Sequence, residues 1–141
     1  MSKTISICKS CDSLNNIDSD KALMNQATCG KCGKPIELHG LVTEVNSAQL
    51  DRIISKSDVP VLVDFWASWC GPCKIYGPVF IEASKLNKNA IFLKVNTEEN
   101  PEISSKLGIR GIPTTIAFKN GKEYRRQSGA LPIEMVSQLI E

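Results

Sequence analysis

The chain has 141 residues, of which 42% are hydrophobic and 23% are charged, and this composition excludes a largely disordered protein. Its 17 lysines and arginines nearly balance its 15 acidic residues, and a net charge of +2 is too small to favour nucleic acid or an anionic membrane as a partner. No apolar run reaches the roughly 18 residues that a transmembrane helix needs, and the first residues lack the features of a secretory signal. We therefore expect a cytoplasmic protein that binds neither nucleic acid nor membrane.

Residues 1–39 are the first unit that the sequence predicts, and they are mostly polar. They hold too few large apolar residues for a self-sufficient core, so a metal or a covalent link is needed to stabilise them. The segment contains two C-x-x-C pairs separated by 17 residues, a spacing typical of a zinc ribbon: Cys8 and Cys11, Cys29 and Cys32. Because four thiolates leave zinc no open position, we predict one structural Zn²⁺ per chain. Two labile disulfides or free thiols are the alternative, and His39 is interpreted as a loop residue.

Residues 40–141 follow the pattern of an α/β domain. Apolar runs between turn residues predict strands, apolar residues at helical spacing predict helices, and the Asn-Gly pair at position 120 predicts a hairpin. The predicted strands cover 41–45, 61–66, 90–95, 114–118 and 122–127. The predicted helices start at Asn46 or Ser47 and end near Ser57, and then cover 71–88, 101–107 and 132–140.

The helix predicted over 71–88 carries apolar residues at a spacing that suits one buried face. They are Ile75, Val79, Ala83 and Leu86, separated by steps of three or four. Pro78 falls inside the same helix and is expected to kink it, because proline removes one backbone hydrogen bond.

The third C-x-x-C pair, Cys70 and Cys73, lies where a buried strand is followed by this helix. Residues three apart on a helix are neighbours, which suits the short separation that a disulfide requires. The helix N-terminus stabilises a thiolate at the first position only. We therefore predict an exposed nucleophile at Cys70 and a recessed resolving thiol at Cys73.

The sequence around this pair, Trp69-Cys70-Gly71-Pro72-Cys73-Lys74, resembles the active-site signature of the thioredoxin family. The resemblance covers residues 40–141 and includes, in order, Val63-Asp64-Phe65-Trp66-Ala67, Pro78, Phe92-Leu93-Lys94-Val95-Asn96, Gly111-Ile112-Pro113-Thr114, Lys119-Asn120-Gly121 and Gly129-Ala130. Ser68 departs from it, because many relatives carry Pro or Glu there. The resemblance implies an α/β thioredoxin fold, in which helices flank a central mixed five-stranded sheet. With the four-cysteine module in front, the whole chain resembles the zinc-binding bacterial thioredoxin 2 subfamily.

Two charged residues in predicted strands gain roles from this resemblance. It implies that Asp64 is buried beneath the disulfide with a raised pKa and serves as proton acceptor and donor for Cys73. The alternative is an aspartate at a solvent-facing strand end, since burial of a carboxylate is costly. The resemblance also implies that Lys94 lies near Asp64 and moderates its charge; a solvated strand lysine is the alternative.

The resemblance further implies a surface for partner proteins around Cys70. The bond between Ile112 and Pro113 is cis in the family and exposes backbone with which an extended substrate segment can pair; a proline at a strand start is the alternative. Trp69 is expected to form an apolar rim with the following residues: Gly71, Pro72, Ile112, Gly129 and Ala130. The alternative places Trp69 in the core, to which we assign Trp66.

These residues predict a monomeric protein-disulfide reductase. Cys70 attacks a disulfide in an oxidised client protein, and Cys73, deprotonated with the help of Asp64, releases the reduced client. The resemblance implies that a thioredoxin reductase restores the dithiol with electrons from NADPH, while this chain binds neither flavin nor nicotinamide. Two other functions are possible: a disulfide oxidase or isomerase, and a binding module whose thioredoxin domain is inert.

Overall fold

The computed structural model describes residues 3–36 and 41–141 of the chain. His39 and the predicted boundary between residues 39 and 40 lie outside the described residues. The described residues form one sheet of two strands and one of five strands. We call residues 3–36 the N-terminal unit and residues 41–141 the α/β unit. None of the described helices is long and apolar enough to cross a membrane.

The N-terminal unit contains a hairpin and a short helix that the sequence patterns did not predict. Strands β1 (Lys3–Ile7) and β2 (Leu14–Asp18) pair in antiparallel orientation. Helix α1 (Ser19–Leu23) follows directly. Its first turn is capped by the Asp18 side chain, which accepts two backbone N–H groups that would otherwise lack a partner.

The α/β unit contains every element predicted for it, with ends that differ by one or two residues. Its strands are β3 (Val42–Glu44), β4 (Val61–Trp66), β5 (Ile91–Asn96), β6 (Thr114–Lys119) and β7 (Lys122–Ser128). Its helices are α2 (Ser47–Lys56), α3 (Gly71–Leu86), α4 (Pro101–Leu107) and α5 (Ile133–Gln138).

The five strands form a mixed sheet in the order β3-β5-β4-β6-β7. Strands β3, β5 and β4 are parallel, whereas β6 runs antiparallel to β4 and β7 antiparallel to β6. Local signals fix the helix ends: Asn46 forms a capping box with Gln49 at the start of α2. Gly108 ends α4 with a φ of 65°, a left-handed conformation that favours glycine. The predicted fold class is confirmed.

Successive residues of a strand point to opposite faces of the sheet, and both faces of this sheet are covered. Val61, Val63 and Phe65 of β4 pack with α2 and α4 on one face. Leu62 packs with α3 and α5 on the other face. Asp64 comes between Val63 and Phe65, so the alternation points it towards α3, which is the helix that carries the cysteine pair.

The buried face of α3 differs from the predicted one. Ile75 and Leu86 are 70% and 71% exposed, so their assignment to the inner face is wrong. The residues of α3 that are buried are Cys73, Tyr76, Phe80, Ala83 and Ser84. The tyrosine and phenylalanine rings turn the helix to this face because they bury more apolar area than the aliphatic residues beside them. Pro78 lies inside α3, and the kink there stays a prediction.

The N-terminal unit packs against the α/β unit. Ile7 of β1 is 5% exposed and belongs to the apolar cluster on the α2 and α4 face of the large sheet. Asp12, which follows the first cysteine pair, binds α2: Gln49 Nε2 donates to Asp12 Oδ1 at 2.7 Å, and Arg52 Nη1 donates to Asp12 Oδ2 at 3.2 Å. Apolar and polar contacts thus join the two units.

Candidate functional site

The redox pair lies at the N-terminus of α3, as predicted. Cys70 is the N-cap residue of the helix, and a disulfide joins it to Cys73, with the two Cα atoms 5.3 Å apart. Pro72 fits in the first turn, where its missing N–H has no helical partner to lose. The backbone N–H of Cys73 donates to Cys70 Sγ at 3.2 Å. This donor and the helix N-terminus stabilise negative charge on that sulfur.

Burial does not distinguish the two cysteines, contrary to the prediction of an exposed Cys70 and a recessed Cys73. Cys70 is 3% exposed and Cys73 is 5% exposed, because the loop before β6 covers the pair and brings Ile112 O within 3.6 Å of Cys70 Sγ. The cysteines differ in what they line. Cys70 lines a groove with Trp69, and Cys73 lines a separate cavity with Asp64. We call these the Cys70 groove and the Cys73 cavity.

The Cys70 groove contains most of the predicted rim. Its lining includes Trp69, Gly71, Pro72, Ile109, Arg110 and Ile112. Trp69 is 71% exposed, so the alternative that places it in the core is wrong, whereas Trp66 is half-buried against the disulfide. Arg110 was missed by the sequence analysis, although its position directly before the Gly111-Ile112-Pro113 segment could have indicated it.

The Ile112–Pro113 peptide bond is cis, as the resemblance implies. Pro113 O accepts a hydrogen bond from the backbone N–H of Gly129 at 2.8 Å, so the end of β7 is held beside this loop. Gly129 has a φ of 96°, which favours glycine at this position. Ala130 is exposed, and neither Gly129 nor Ala130 belongs to the described lining of the Cys70 groove.

Asp64 is buried beneath the pair, with 3% of its surface exposed. A solvent-facing strand end is therefore excluded. Its Oδ1 has no hydrogen-bond partner among the described residues. Burial raises the pKa of Asp64 to about 7, and the charge of Lys94 offsets this only in part. The carboxyl group shares the Cys73 cavity with the resolving cysteine and is able to exchange a proton near neutral pH.

Lys94 stands directly opposite Asp64 on the neighbouring strand β5. Its side chain is 21% exposed, so it is not the solvated strand lysine of the alternative reading. Lys94 Nζ lies 3.6 Å from Glu44 Oε1 and 5.5 Å from the centre of a Trp66 ring. Glu44 was missed by the sequence analysis, because its role depends on the pairing of β3 with β5.

The remaining four cysteines meet in the N-terminal unit. The sulfur atoms of Cys8, Cys11, Cys29 and Cys32 lie within 4.8 Å of one another. The Sγ atoms of Cys8 and Cys32 are 3.6 Å apart, as are those of Cys11 and Cys29, and none of the four forms a disulfide. Tetrahedral zinc with bonds of about 2.3 Å places neighbouring sulfurs about 3.8 Å apart. The donor set therefore fits one tetrahedral metal ion.

Two polar side chains that the sequence did not predict lie beside this cluster of cysteines. Ser13 Oγ lies 2.8 Å from Cys11 Sγ and 3.2 Å from Cys29 Sγ. Asn15 Nδ2 donates to Cys29 Sγ at 3.5 Å, and Asn15 Oδ1 accepts the backbone N–H of Gly30 at 2.9 Å. The hydrogen bond from Ser13, followed by backbone N–H groups, lowers the pKa of Cys29 to about 5. This thiol therefore loses its proton readily, and the deprotonated form is the one that metals bind.

A second carboxylate, that of Glu98, forms hydrogen bonds to the loop before Cys70. Glu98 Oε1 accepts the backbone N–H and the hydroxyl of Ser68, both at 2.6 Å. These hydrogen bonds lower the pKa of Glu98, so it stays ionised. Ser68, where the chain departs from many relatives, is therefore part of the support for the redox loop, a role that the sequence analysis did not assign.

Comparisons with known proteins cover both units. The family model described as Thioredoxin matches residues 41–141. "Thioredoxin C-3" of Corynebacterium nephridii is 38% identical over 140 residues, covering 97% of this chain and 93% of that protein. The thioredoxin of Rickettsia bellii is 49% identical over 102 residues, covering 72% of this chain and 94% of that protein. The solved thioredoxin of Malassezia sympodialis has a TM-score of 0.65 at 35% identity, covering 71% of this chain and 94% of that one.

Proposed function

Because the chain belongs to the thioredoxin family and is a thiol–disulfide oxidoreductase, we propose that it reduces disulfides in client proteins through Cys70 and Cys73. The observation that carries this proposal is the position of the pair, at a helix N-terminus between a surface groove and a cavity that holds a buried carboxyl group. The groove offers contacts to a client, and the carboxyl offers a place for a proton.

The client binds in the Cys70 groove. An extended segment pairs with the backbone of Ile112 as an added strand, and apolar client residues pack on Trp69, whose ring is largely exposed. Backbone pairing is insensitive to side chains, so many clients are accepted. The client sulfur is then brought to Cys70, whose Sγ is close to Ile112 O.

Reduction takes two exchanges of sulfur bonds. The Cys70 thiolate attacks one sulfur of the client disulfide, which forms a mixed disulfide and releases the other client sulfur as a thiol after it takes up a proton. Cys73 then attacks Cys70 Sγ, which closes the Cys70–Cys73 disulfide and releases the second client sulfur. Asp64 accepts the proton of Cys73 in this second step, because its raised pKa makes it a suitable base near neutral pH.

A thioredoxin reductase is the proposed source of electrons for the next turnover. It transfers two electrons, which derive from NADPH through its flavin, to the Cys70–Cys73 disulfide. We propose a cytoplasmic location for this cycle, since a reducing compartment keeps the other four cysteines available as thiolates. The chain is proposed to act as a monomer.

We further propose that Cys8, Cys11, Cys29 and Cys32 hold one Zn²⁺ and that the chain belongs to the zinc-binding thioredoxin 2 subfamily. The support is the geometry of the four sulfur atoms and an alignment with the Corynebacterium nephridii protein that includes the N-terminal unit. The metal would supply a cross-link between the two C-x-x-C turns. Residues 1–39 and 40–141 then form two domains, of which the second carries the reaction.

Reduction of insulin disulfides tests the proposed function. Wild-type protein, given NADPH and a thioredoxin reductase, should reduce insulin, and Cys70→Ser should abolish this activity. Cys73→Ser should retain the nucleophile and trap clients as stable mixed disulfides, while a Cys70→Ser/Cys73→Ser control traps none. Net oxidation of reduced client proteins would favour an oxidase, and complete inactivity of the wild type would favour the inert binding module. Trapping by Cys70→Ser instead of Cys73→Ser would reverse the roles of the two cysteines.

A further inference from the structure

Three side chains of alternating charge stand in a row across the large sheet. Glu44 of β3 is the register partner of Lys94 of β5, and Lys94 is the register partner of Asp64 of β4. Residues in register on neighbouring parallel strands point to the same face of a sheet. The lysine therefore lies between two carboxylates on the face that carries the redox pair.

Both carboxylates act on the lysine. Glu44 Oε1 is 3.6 Å from Lys94 Nζ, and Lys94 acts on Asp64 through its charge. The Glu44 side chain is 37% exposed, whereas Asp64 is buried. An ammonium group that is shared by two carboxylates stabilises the negative charge of each one less than it would stabilise the charge of a single carboxylate.

We propose that Glu44 is a positioning residue for the resolving step, because it draws Lys94 partly away from Asp64 and so leaves Asp64 better able to accept the proton of Cys73. The inference rests on the proposed role of Asp64 in deprotonating Cys73. Without Glu44, the ammonium of Lys94 would act more strongly on Asp64, and Asp64 would bind a proton less tightly. Direct repulsion between the two carboxylates acts in the same direction.

The other titratable groups described near Asp64 are either neutral or screened by water. Helix α3 contributes Cys73 and Tyr76, and the Tyr76 hydroxyl is hydrogen-bonded to Thr115 of β6 at 2.8 Å. Burial raises the pKa of Tyr76 further above its ordinary value, so the ring stays neutral wherever Asp64 titrates. Lys74 lines the Cys73 cavity but is exposed, and water screens its charge.

Titration of the Asp64 side-chain carboxyl by NMR, in the oxidised protein, measures the effect without any activity. Glu44→Gln should lower the Asp64 pKa by on the order of 0.5 unit. Glu44→Asp, which keeps the charge and shortens its reach, should lower it less. Glu82→Gln is the matched control, since Glu82 also pairs with a lysine, at 3.1 Å, on the surface of α3, and it should change nothing.

The kinetic counterpart uses 5,5′-dithiobis(2-nitrobenzoate) as the disulfide. Its first thiolate is released when Cys70 attacks, and its second when Cys73 displaces it and closes the Cys70–Cys73 disulfide. In Glu44→Gln the pH profile of the second release should shift to lower pH by the same amount as the titration, with the first release unchanged. A profile that keeps its wild-type position although the titration has shifted would remove Glu44 from the resolving step.

A Lys94→Met background distinguishes an effect of Glu44 that acts through Lys94 from direct repulsion between the Glu44 and Asp64 carboxylates. There the effect of Glu44→Gln on the Asp64 titration should fall to about 0.1 unit, because the lysine that transmits it is gone. An equal shift with and without Lys94, or no shift in either background, would overturn the inference. A wild-type protein that fails to reduce insulin would instead overturn the proposed function, while the titration would still report whether Glu44 acts on Asp64 through Lys94.

Discussion

The α/β unit buries large apolar side chains on both faces of its sheet, among them Phe65, Tyr76 and Phe80. The N-terminal unit buries a much smaller set in its own cluster, which consists mainly of small residues and cysteines: Cys8, Ile17, Ala22, Ala27, Cys29, Ile36, together with Leu41. Each large apolar side chain contributes about 1.5–3 kcal/mol when it is fully buried. The α/β unit therefore buries enough apolar surface to fold on that basis alone, and the N-terminal unit does not.

The buried polar groups of the two units differ as well. The N-terminal unit buries hydroxyl groups, of which those of Thr4, Ser6 and Ser19 have no hydrogen-bond partner among the described residues. The α/β unit buries a carboxyl group, Asp64, which is far more costly in its charged form. The large core of the α/β unit tolerates such a group at a reactive site, whereas the small core of the N-terminal unit would be stabilised by the proposed metal.

The largest expected effect is the loss of the N-terminal unit without the metal. Cys29→Ser, or removal of zinc by a chelator, should abolish metal binding and the fixed structure of residues 3–36, because a structural zinc site contributes on the order of 10 kcal/mol or more. The α/β unit should remain folded and active. Zinc analysis, an amide NMR spectrum and insulin reduction measure the three outcomes. Lys31→Ser, which alters an exposed residue between two ligands, should change none of them.

That comparison fails if the wild-type protein contains no zinc, or if Cys29→Ser unfolds the α/β unit too. In the first case the small N-terminal cluster would need another source of stability. In the second, the two units would be a single cooperative structure.

Asp64→Asn should have the next largest effect, and it should depend on pH. The folded state holds the proton of Asp64 more tightly than the unfolded state does, so wild-type stability falls as the pH rises from about 4 to about 7, by up to about 1.4 kcal/mol per pH unit. The variant lacks this loss and should be the more stable protein at pH 8. The resolving step should slow by about 10²-fold.

Urea unfolding at pH 5 and pH 8, together with single-turnover kinetics, measures both effects of Asp64→Asn. Asp58→Asn, at an exposed position, serves as the control and should show no pH-dependent gain. Parallel stability curves for wild type and Asp64→Asn across this pH range would mean that the carboxyl group is not costly to bury.

The smallest expected effect tests the contact between the units. Ile7 belongs to the core cluster of the α/β unit, so Ile7→Ala should destabilise that unit by about 2 kcal/mol. Ile17, buried in the N-terminal cluster, provides the matched control: Ile17→Ala should destabilise only residues 3–36. Hydrogen exchange resolved by residue distinguishes the two results. If Ile7→Ala leaves exchange in β4 and β5 unchanged, the units are energetically separate.

The elements of the α/β unit could be predicted because local signals and tertiary packing agree there. The capping box at Asn46, the glycine at position 108 and the Asn-Gly hairpin mark element ends in the sequence itself. The hairpin of the N-terminal unit could not be predicted in this way. Apolar and polar residues alternate only weakly along β2, and in this region the cysteines come together rather than the apolar residues. The face of α3 was misjudged because Ile75 and Tyr76 are adjacent, and spacing alone does not decide which of them is buried.

The reactive residues could be predicted from their motifs, but the residues that support them could not. Cys70, Cys73 and the four clustered cysteines stand in recognisable spacings. Glu44 contacts Lys94, Glu98 contacts Ser68 and Ser13 contacts Cys29, and each pair is distant in sequence and is brought together by strand register or by the path of a loop. Supporting residues of this kind have no local pattern, so they emerge from the fold alone.

The groove and the cavity lie on different sides of the disulfide, one lined by Cys70 and the other by Cys73. In the proposed reaction, a client that fills the groove leaves the Asp64 side accessible, so protein and proton use separate entrances. The proton of Cys73 can then reach bulk water while the client is still attached. The lifetime of the mixed disulfide is accordingly set by the chemistry of the second exchange, and a large client should be resolved as quickly as a small one.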